Sequence, residues 1–247
     1  MKIEILGCSG AVAKGFNTTS ILINGEVLVD AGSAASVLDT KRLSGISHIL
    51  LTHSHIDHIK ELPFILDVVC FGKGKGVDIW GSGITLNAIR KHLFNGTIWP
   101  KLKQLELDGS LCRIHTLPAD TFSLNGLCAK GIKAQHISGA KSFMISEGDK
   151  HVIFSGDTSY TPGLFNLAAS LASKLKLFFV ETSFPDKMHE VARLTGHMTP
   201  AVIGRELNRL SFSKVIAYHI KPRYFKDVIR DIPEGMGYIR GGEVFNL

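Results

Sequence analysis

Between residues 52 and 58 the chain reads Thr-His-Ser-His-Ile-Asp-His, which sets three imidazoles and one carboxylate at positions 53, 55, 57 and 58. Imidazole and carboxylate are the donors that zinc, iron and manganese sites use. Nothing in packing or secondary-structure propensity asks for four such groups within six residues, and four are too many for one ion. The stretch follows an apolar run, Ser47-His48-Ile49-Leu50-Leu51, of the kind that forms a buried strand. A strand leaving through His-x-His turns both rings to one side, because side chains repeat with period two, so His53 and His55 can share one ion. Asp57 and His58 then open a helix, expected over Asp57–Val69, whose first residues look back to the same space and can serve a second ion.

A two-ion centre needs further donors, best held at strand ends where the backbone is rigid. His136 follows the apolar run Ile132–Gln135, Asp157 follows Val152–Gly156, and His219 follows Val215–Tyr218. Each leaves its run into a loop with Gly, Ser or Pro nearby. Asp30, at the end of Val29-Asp30-Ala31-Gly32, either lies beneath the site and orients a ligand or caps a helix expected over Ser36–Leu43. His48, His92, His115, His151 and His189 have no partner at useful spacing and are read as structural.

The elements that must carry these residues can be placed from patterning. Lys2–Leu6, Thr19–Ile23 and Glu26–Asp30 read as a meander whose Asn24-Gly25 turn is a hairpin signal. A glycine-rich turn at Lys73–Gly76, a strand at Val77–Trp80 and a helix at Ile84–Leu93 follow. Lys101–Leu107, Cys112–Leu117, Leu127–Gln135, Ser142–Ser146 and His151–Phe154 read as strands of a second sheet. Beyond Thr161 helices (Leu164–Ala172, Pro200–Leu210, Tyr224–Ile229) alternate with strands (Leu175–Glu181, Val215–Tyr218). No linker or low-complexity tract interrupts the pattern, so residues 1–247 are expected to form one domain.

Composition sets outer bounds. With 247 residues and 45% hydrophobic content the chain can bury a large core. A formal charge of +6 favours an anionic partner, a phosphate ester or a nucleic acid, although a basic surface without such a role has the same signature. The longest apolar run, Leu62–Phe71, is broken by Asp67 and falls short of the ~20 residues that a spanning helix needs. Met1-Lys2-Ile3-Glu4-Ile5 enters a strand pattern without a signal-peptide core, so a cytoplasmic location is expected. Cys8, Cys70, Cys112 and Cys128 are scattered singly, as reduced thiols are.

His53-x-His55-x-Asp57-His58, then His136, then Gly156-Asp157-Thr158, then His219, taken together over the whole chain, resembles the metallo-β-lactamase superfamily. The resemblance implies a four-layer αβ/βα sandwich with two divalent metal ions, zinc first and manganese or iron as alternatives, at one edge of the two sheets. It implies one ion on His53, His55 and His136, a second on Asp57, His58 and His219, and Asp157 between them. Asp57, and the absence of a cysteine near Asp157, set the chain apart from the true β-lactamases. The blocks Phe178–Pro185, Gly196–Pro200 and Tyr218–Pro222 resemble those of the class II 3',5'-cyclic-nucleotide phosphodiesterases, with Glu61 standing where that family carries a small residue. This implies an enzyme that hydrolyses a small anionic phosphodiester, cyclic AMP or cyclic GMP. His197, oriented by Glu181, would be the general acid, and Asp57 would join them as a catalytic group. Glu181 and His197 also resemble blocks of tRNase Z, which makes an RNA substrate the alternative; that family has Gly at the position of Ile56 and an added arm with no counterpart here. A non-catalytic metal or redox module would leave Glu181 and His197 without a task. Lys221 would contact phosphate or stand in solvent, and Tyr224 and Phe225 would stack on a base or join the core. A homodimer, common in the superfamily, is a further expectation, and no membrane partner is expected.

Overall fold

The computed structural model describes residues 1–71, 76–105, 112–211 and 213–247. The strands are β1 (Lys2–Gly7), β2 (Ser20–Ile23), β3 (Val27–Val29), β4 (His48–Leu50), β5 (Val77–Gly81), β6 (Cys112–Thr116) and β7 (Phe122–Leu124). They continue with β8 (Leu127–Lys133), β9 (Lys141–Glu147), β10 (Lys150–Phe154), β11 (Leu175–Glu181), β12 (Lys214–Tyr218), β13 (Met236–Tyr238) and β14 (Val244–Asn246). They form two sheets, ordered β14-β1-β2-β3-β4-β5-β6 and β13-β12-β11-β10-β9-β8-β7. The α-helices are α1 (Ala34–Val37), α2 (Thr40–Leu43), α3 (Ile56–Ile59), α4 (Leu62–Phe71) and α5 (Gly83–His92), then α6 (Leu102–Leu105), α7 (Pro162–Leu171), α8 (His189–Thr195), α9 (Pro200–Gly204) and α10 (Phe225–Asp231).

Three apolar clusters separate four layers, as the superfamily sandwich requires. Leu28, Ile49 and Ile79 of the first sheet meet Leu62, Ile65 and Leu86 of its covering helices. Ile21, Val29 and Leu50 face Phe143, Phe154 and Phe179 across the gap between the sheets. Phe178 and Val180 pack outward against Leu164, Phe165 and Val228. Strand β11 explains itself in these terms: Phe179 faces one side and Phe178 and Val180 the other, both sides are covered there, and Leu177–Val180 reads as an unbroken apolar run. Both strands flanking it run parallel to it, so their C-terminal ends open on one edge, where the loops after β4, β10 and β12 carry the expected ligands.

The structure corrects several expectations. The helix expected over Asp57–Val69 is two helices, α3 and α4. Pro63, in the first turn of α4, has no N–H to continue the α3 ladder, and Glu61 is drawn aside to bond Ser36. The helix expected over Ser36–Leu43 is likewise split, because the Asp39 carboxylate accepts from Arg42 N at 2.8 Å and starts α2 anew. Lys101–Leu107 was expected as a strand, yet its described part is the helix α6, built from straight-chain residues of good helix propensity. Cys112–Thr116 belongs to the first sheet, parallel to β5, since the intervening α5 supplies the crossover a parallel pair needs. The stretch expected as the helix Pro200–Leu210 is α9 followed by a 3-10 turn at Leu207–Leu210. Of the turn at Lys73–Gly76, residues 72–75 lie outside the described ones. Strands β7, β13 and β14 and helix α8 were not anticipated. Among the described residues no helix is long and apolar enough to cross a membrane.

Candidate metal centre

The backbone carries the ligand-type side chains to one spot from both sheets. His53, His55, Asp57 and His58 leave β4 and enter α3; His136 follows β8, Asp157 follows β10 and His219 follows β12. Nitrogen and oxygen atoms of His53, His55, His136 and Asp157 form one compact group, and those of Asp57, His58 and His219 a second. Asp157 lies between them. Its Oδ2 is 3.7 Å from His53 Nε2 and 3.8 Å from His136 Nε2, and its Oδ1 is 3.3 Å from both His58 Nε2 and His219 Nε2. Asp57 Oδ2 approaches His219 Nε2 at 3.2 Å and His58 Nε2 at 3.7 Å.

The outward-facing ring nitrogens decide what the inward-facing ones can do. His58 Nδ1 donates to Asp30 Oδ2 at 2.7 Å, and His136 Nδ1 donates to the Gly196 carbonyl at 3.1 Å. Thr52 Oγ1 donates to Asp30 Oδ2 at 2.8 Å, so it accepts from His53 Nδ1 at 3.0 Å. Ser183 Oγ donates to Glu181 Oε2 at 3.0 Å, so it accepts from His219 Nδ1 at 3.1 Å. In the neutral tautomers all four rings therefore turn an Nε2 lone pair inward. His58 Nε2 and His219 Nε2 then face each other at 3.1 Å, and His136 Nε2 faces His55 Nδ1 at 3.0 Å. Buried His53 Nε2 and Asp157 Oδ1 have no hydrogen-bond partner. Lone pairs aimed at one another across 3 Å, together with orphaned buried acceptors, are a donor set that a pair of divalent cations fits.

Where protons stand in for cations, the same groups perturb one another strongly. Burial, with the nearby His58 charge, pushes the His53 imidazole well below the ordinary histidine range. Burial would lower His58 too, but the Asp157 and Asp30 carboxylates hold it well above. Burial would raise Asp57, but when the rings are protonated the hydrogen bond from His219 and the charges of His58 and His219 hold it below the usual carboxylate range. Asp57 is the more open of the two carboxylates of the centre, with 23% of its side chain exposed against 2% for Asp157.

Beside the centre stands the expected pair. Glu181 is fully buried, and its Oε1 accepts from His197 Nδ1 at 2.9 Å and from Met198 N at 3.1 Å. Its Oε2 accepts from Ser183 N and Ser183 Oγ, each at 3.0 Å. The His197 ring lies 4.9 Å from that of His136 and 5.9 Å from that of His219. Burial would lower its pKa, but the charge and hydrogen bond of Glu181 raise it above the ordinary value. Thr199 occupies the N-cap position of α9, but its side chain makes no cap bond there.

Other expected residues are placed as follows. Asp30 lies under the centre; the position before α1 is taken by Ser33, so Asp30 does not cap that helix. Glu61 turns away toward Ser36 and Lys60. Lys221 Nζ donates to the Gly10 carbonyl at 3.3 Å and lies 5.4 Å over the Phe184 ring. Tyr224 packs on Phe184, and Phe225 packs on Phe16. His48 and His115 gather at Asp78, His151 bonds Ser146, and His189 meets Glu190. Sequence reasoning did not single out Ser183, which joins Glu181 to His219, or Gly196. The latter sits at φ +72°, and a Cβ there would lie 2.8 Å from His136 Nδ1. Its place two residues after Leu194, at the end of α8, was the available signal.

Comparison with known proteins agrees with this picture. The family model described as Anti-Pycsar protein Apyc1 matches residues 1–199. A probable 3',5'-cyclic-nucleotide phosphodiesterase of Yersinia pestis is 25% identical, over 90% of this chain and 79% of the relative. Unliganded yeast PDE1 superposes with a TM-score of 0.80 at 18% identity, covering 100% of this chain and 99% of that one. The short form of human tRNase Z superposes with a TM-score of 0.74 at 18% identity, covering 100% and 99%. These likenesses in structure are likenesses of the metallo-β-lactamase fold.

Proposed function

The chain belongs to the anti-Pycsar protein Apyc1 family, within the metallo-β-lactamase superfamily of metal-dependent hydrolases, and on that footing we propose that it hydrolyses 3',5'-cyclic nucleotides, cyclic AMP and cyclic GMP among them, to nucleoside 5'-monophosphates. The observation that carries the reading is His197, clamped by buried Glu181 at 2.9 Å and standing beside seven converging ligand-type side chains. Residues 1–247 act as one domain in this reading, since both sheets contribute those side chains.

Two divalent cations, zinc before manganese or iron, would be held by His53, His55 and His136 and by Asp57, His58 and His219, with Asp157 between; when bound they supply the positive charge that activates water and polarises a phosphoryl oxygen. The protein's own share is positioning and proton handling. Asp30, Thr52, Ser183 and the Gly196 carbonyl fix the rings so that no reorganisation is needed as charge develops. Asp57, the more open of the two carboxylates, would orient the entering water. As water adds to phosphorus and loses a proton to solvent, the bond to O3' breaks, the leaving alkoxide takes the His197 Nε2 proton, which Glu181 stabilises until it is passed on, and His197 is reprotonated from solvent.

The test is turnover of cyclic AMP and cyclic GMP, with bis(p-nitrophenyl) phosphate as a generic diester, by protein of known metal content. Hydrolysis of the cyclic nucleotides that disappears in Asp157→Ala supports the reading. Cleavage of the generic diester alone would move the search to another diester, and no turnover with two ions bound would sink it.

A further inference from the structure

His197 borders the metal centre and also forms part of the wall of a cavity of about 620 Å³ between α8 and α9, with Tyr160, Met198, Thr199, Val202 and Arg205. Two polar groups on that wall are left for a ligand. Thr199 is 2% exposed and stands at the N-cap position of α9, where a threonine hydroxyl ordinarily accepts from the backbone. It makes neither a cap bond nor any other side-chain hydrogen bond among the described residues. Arg205 makes no ion pair among the described residues, and the acids at this cavity are engaged. Glu206, its neighbour in the chain, accepts from Tyr160 Oη and from Arg209 Nη1, each at 2.7 Å. Asp186, on the wall, accepts from Ala201 N at 2.8 Å, and Glu190 holds the wall residue Arg193 at 3.0 Å. The Tyr160 ring is stacked on Phe165 at 5.2 Å, and the residue remains 37% exposed.

The proposed reaction says what belongs beside His197. A general acid faces the oxygen that leaves, and O3' is part of the ribose, so ribose and base extend from phosphorus on the His197 side. The cavity that His197 walls offers them an aromatic ring, a hydroxyl and a guanidinium. Guanidinium has donors only. The guanine edge presents two adjacent acceptors, O6 and N7, whereas adenine sets the acceptor N7 beside the donor N6. We infer that the cavity between α8 and α9 holds the nucleoside of the substrate, with the base against Tyr160 and the ribose at Thr199, and that Arg205 makes guanine the preferred purine. The inference rests on the phosphodiesterase reading for the place of the leaving oxygen.

The experiment is isothermal titration of the metal-loaded protein with 5'-GMP, 5'-AMP and inorganic phosphate, alongside kcat/KM for cyclic GMP and cyclic AMP. A bidentate arginine contact discriminates against the wrong base by about 5- to 150-fold. 5'-GMP should bind more tightly than 5'-AMP by that factor, and cyclic GMP should be favoured over cyclic AMP likewise. Arg205 is exposed, so its replacement leaves the core intact. Arg205→Ala should bring both ratios close to one, and Arg205→Lys should restore part of them. Arg90→Gln, which removes an equal charge from exposed α5, should keep the wild-type ratios. Tyr160→Ala should weaken both nucleotides alike, by about 5- to 150-fold, whereas Tyr160→Phe should not. Equal affinity for the two nucleotides, a ratio that survives Arg205→Ala, or 5'-GMP bound no more tightly than inorganic phosphate would each overturn the inference. Titration needs no turnover: with neither cyclic nucleotide hydrolysed the phosphodiesterase reading falls while the affinities still decide on the cavity, and hydrolysis of both at equal kcat/KM keeps that reading and removes this one.

Discussion

Asp30→Asn should weaken the hold of the centre on one ion more than on the other. The Asp30 carboxylate is fully buried and makes three contacts: Oδ1 accepts from Thr52 N, and Oδ2 accepts from Thr52 Oγ1 and from His58 Nδ1 at 2.7 Å. Asparagine keeps the first contact, because its carbonyl can face Thr52 N. Its amide nitrogen then faces His58 Nδ1, donor against donor, so His58 must give up that hydrogen bond or turn its lone pair away from the centre. Loss of a hydrogen bond to a charged group is worth about 1.5–3 kcal/mol, and at about 1.4 kcal/mol per tenfold this is a 10- to 100-fold loss of affinity, the range expected for a partner that orients a metal ligand. The expected outcome is an affinity about 10- to 100-fold weaker for the ion of Asp57, His58 and His219, and a smaller loss for that of His53, His55 and His136, which Asp30 reaches only through Thr52 Oγ1. Chelator competition with zinc, read with elemental analysis, measures both. Two ions retained at unchanged affinity, with a native far-UV spectrum, would refute the argument.

His197→Ala should retain its metal and lose about 10²- to 10⁴-fold in turnover of the cyclic nucleotides, and steady-state rates equal to wild type would remove it from the mechanism. Gly196→Ala should be destabilised by about 1–2 kcal/mol, the cost of placing a Cβ in the left-handed region, and should also bind metal more weakly because that Cβ would press on His136 Nδ1; denaturant melts and metal titration check the two effects separately. Burial alone would raise the Asp78 pKa, but hydrogen bonds from Arg113 at 2.6 and 2.8 Å and from His115 at 2.6 Å hold it below the usual range. A carboxyl depressed by folding contributes stability above its unfolded pKa, about 3.9, and loses it as pH falls through its folded value. The thermal-stability gap between wild type and Asp78→Asn should therefore be constant near neutrality and close below about pH 4; a gap that persisted in acid would contradict this.

Which parts of the molecule were readable in the sequence follows from how local their causes are. His53, His55, Asp57 and His58 were legible as a cluster because four ligand-type residues in six positions have no packing explanation, and β11 because its covered run Leu177–Val180 needs no alternation. The dual reading of Asp30 could not be resolved from its own neighbours: its partners Thr52 and His58 lie 22 and 28 residues away. Ser183 was hidden in the same way, since its hydroxyl acts on His219, 36 residues on. The long helices expected at 36–43 and 57–69 failed on local competition from Asp39 and Pro63. Sheet membership of Cys112–Thr116 failed because parallel pairing across a crossover leaves no mark at short range. Strands β13 and β14, of three residues each, take their order from the edges they complete.

The centre draws His53, His55, Asp57 and His58 from the loop of one sheet and His136, Asp157 and His219 from the loops of the other. It is therefore a clasp across the seam of the sandwich, closed at the one edge where the apolar layer between the sheets ends. An ion bound only when both halves are docked adds its binding free energy to their docking. With the proposed ions bound, metal supply and conformational stability would become one variable, and a chelator would act on this chain as a denaturant directed at a single seam.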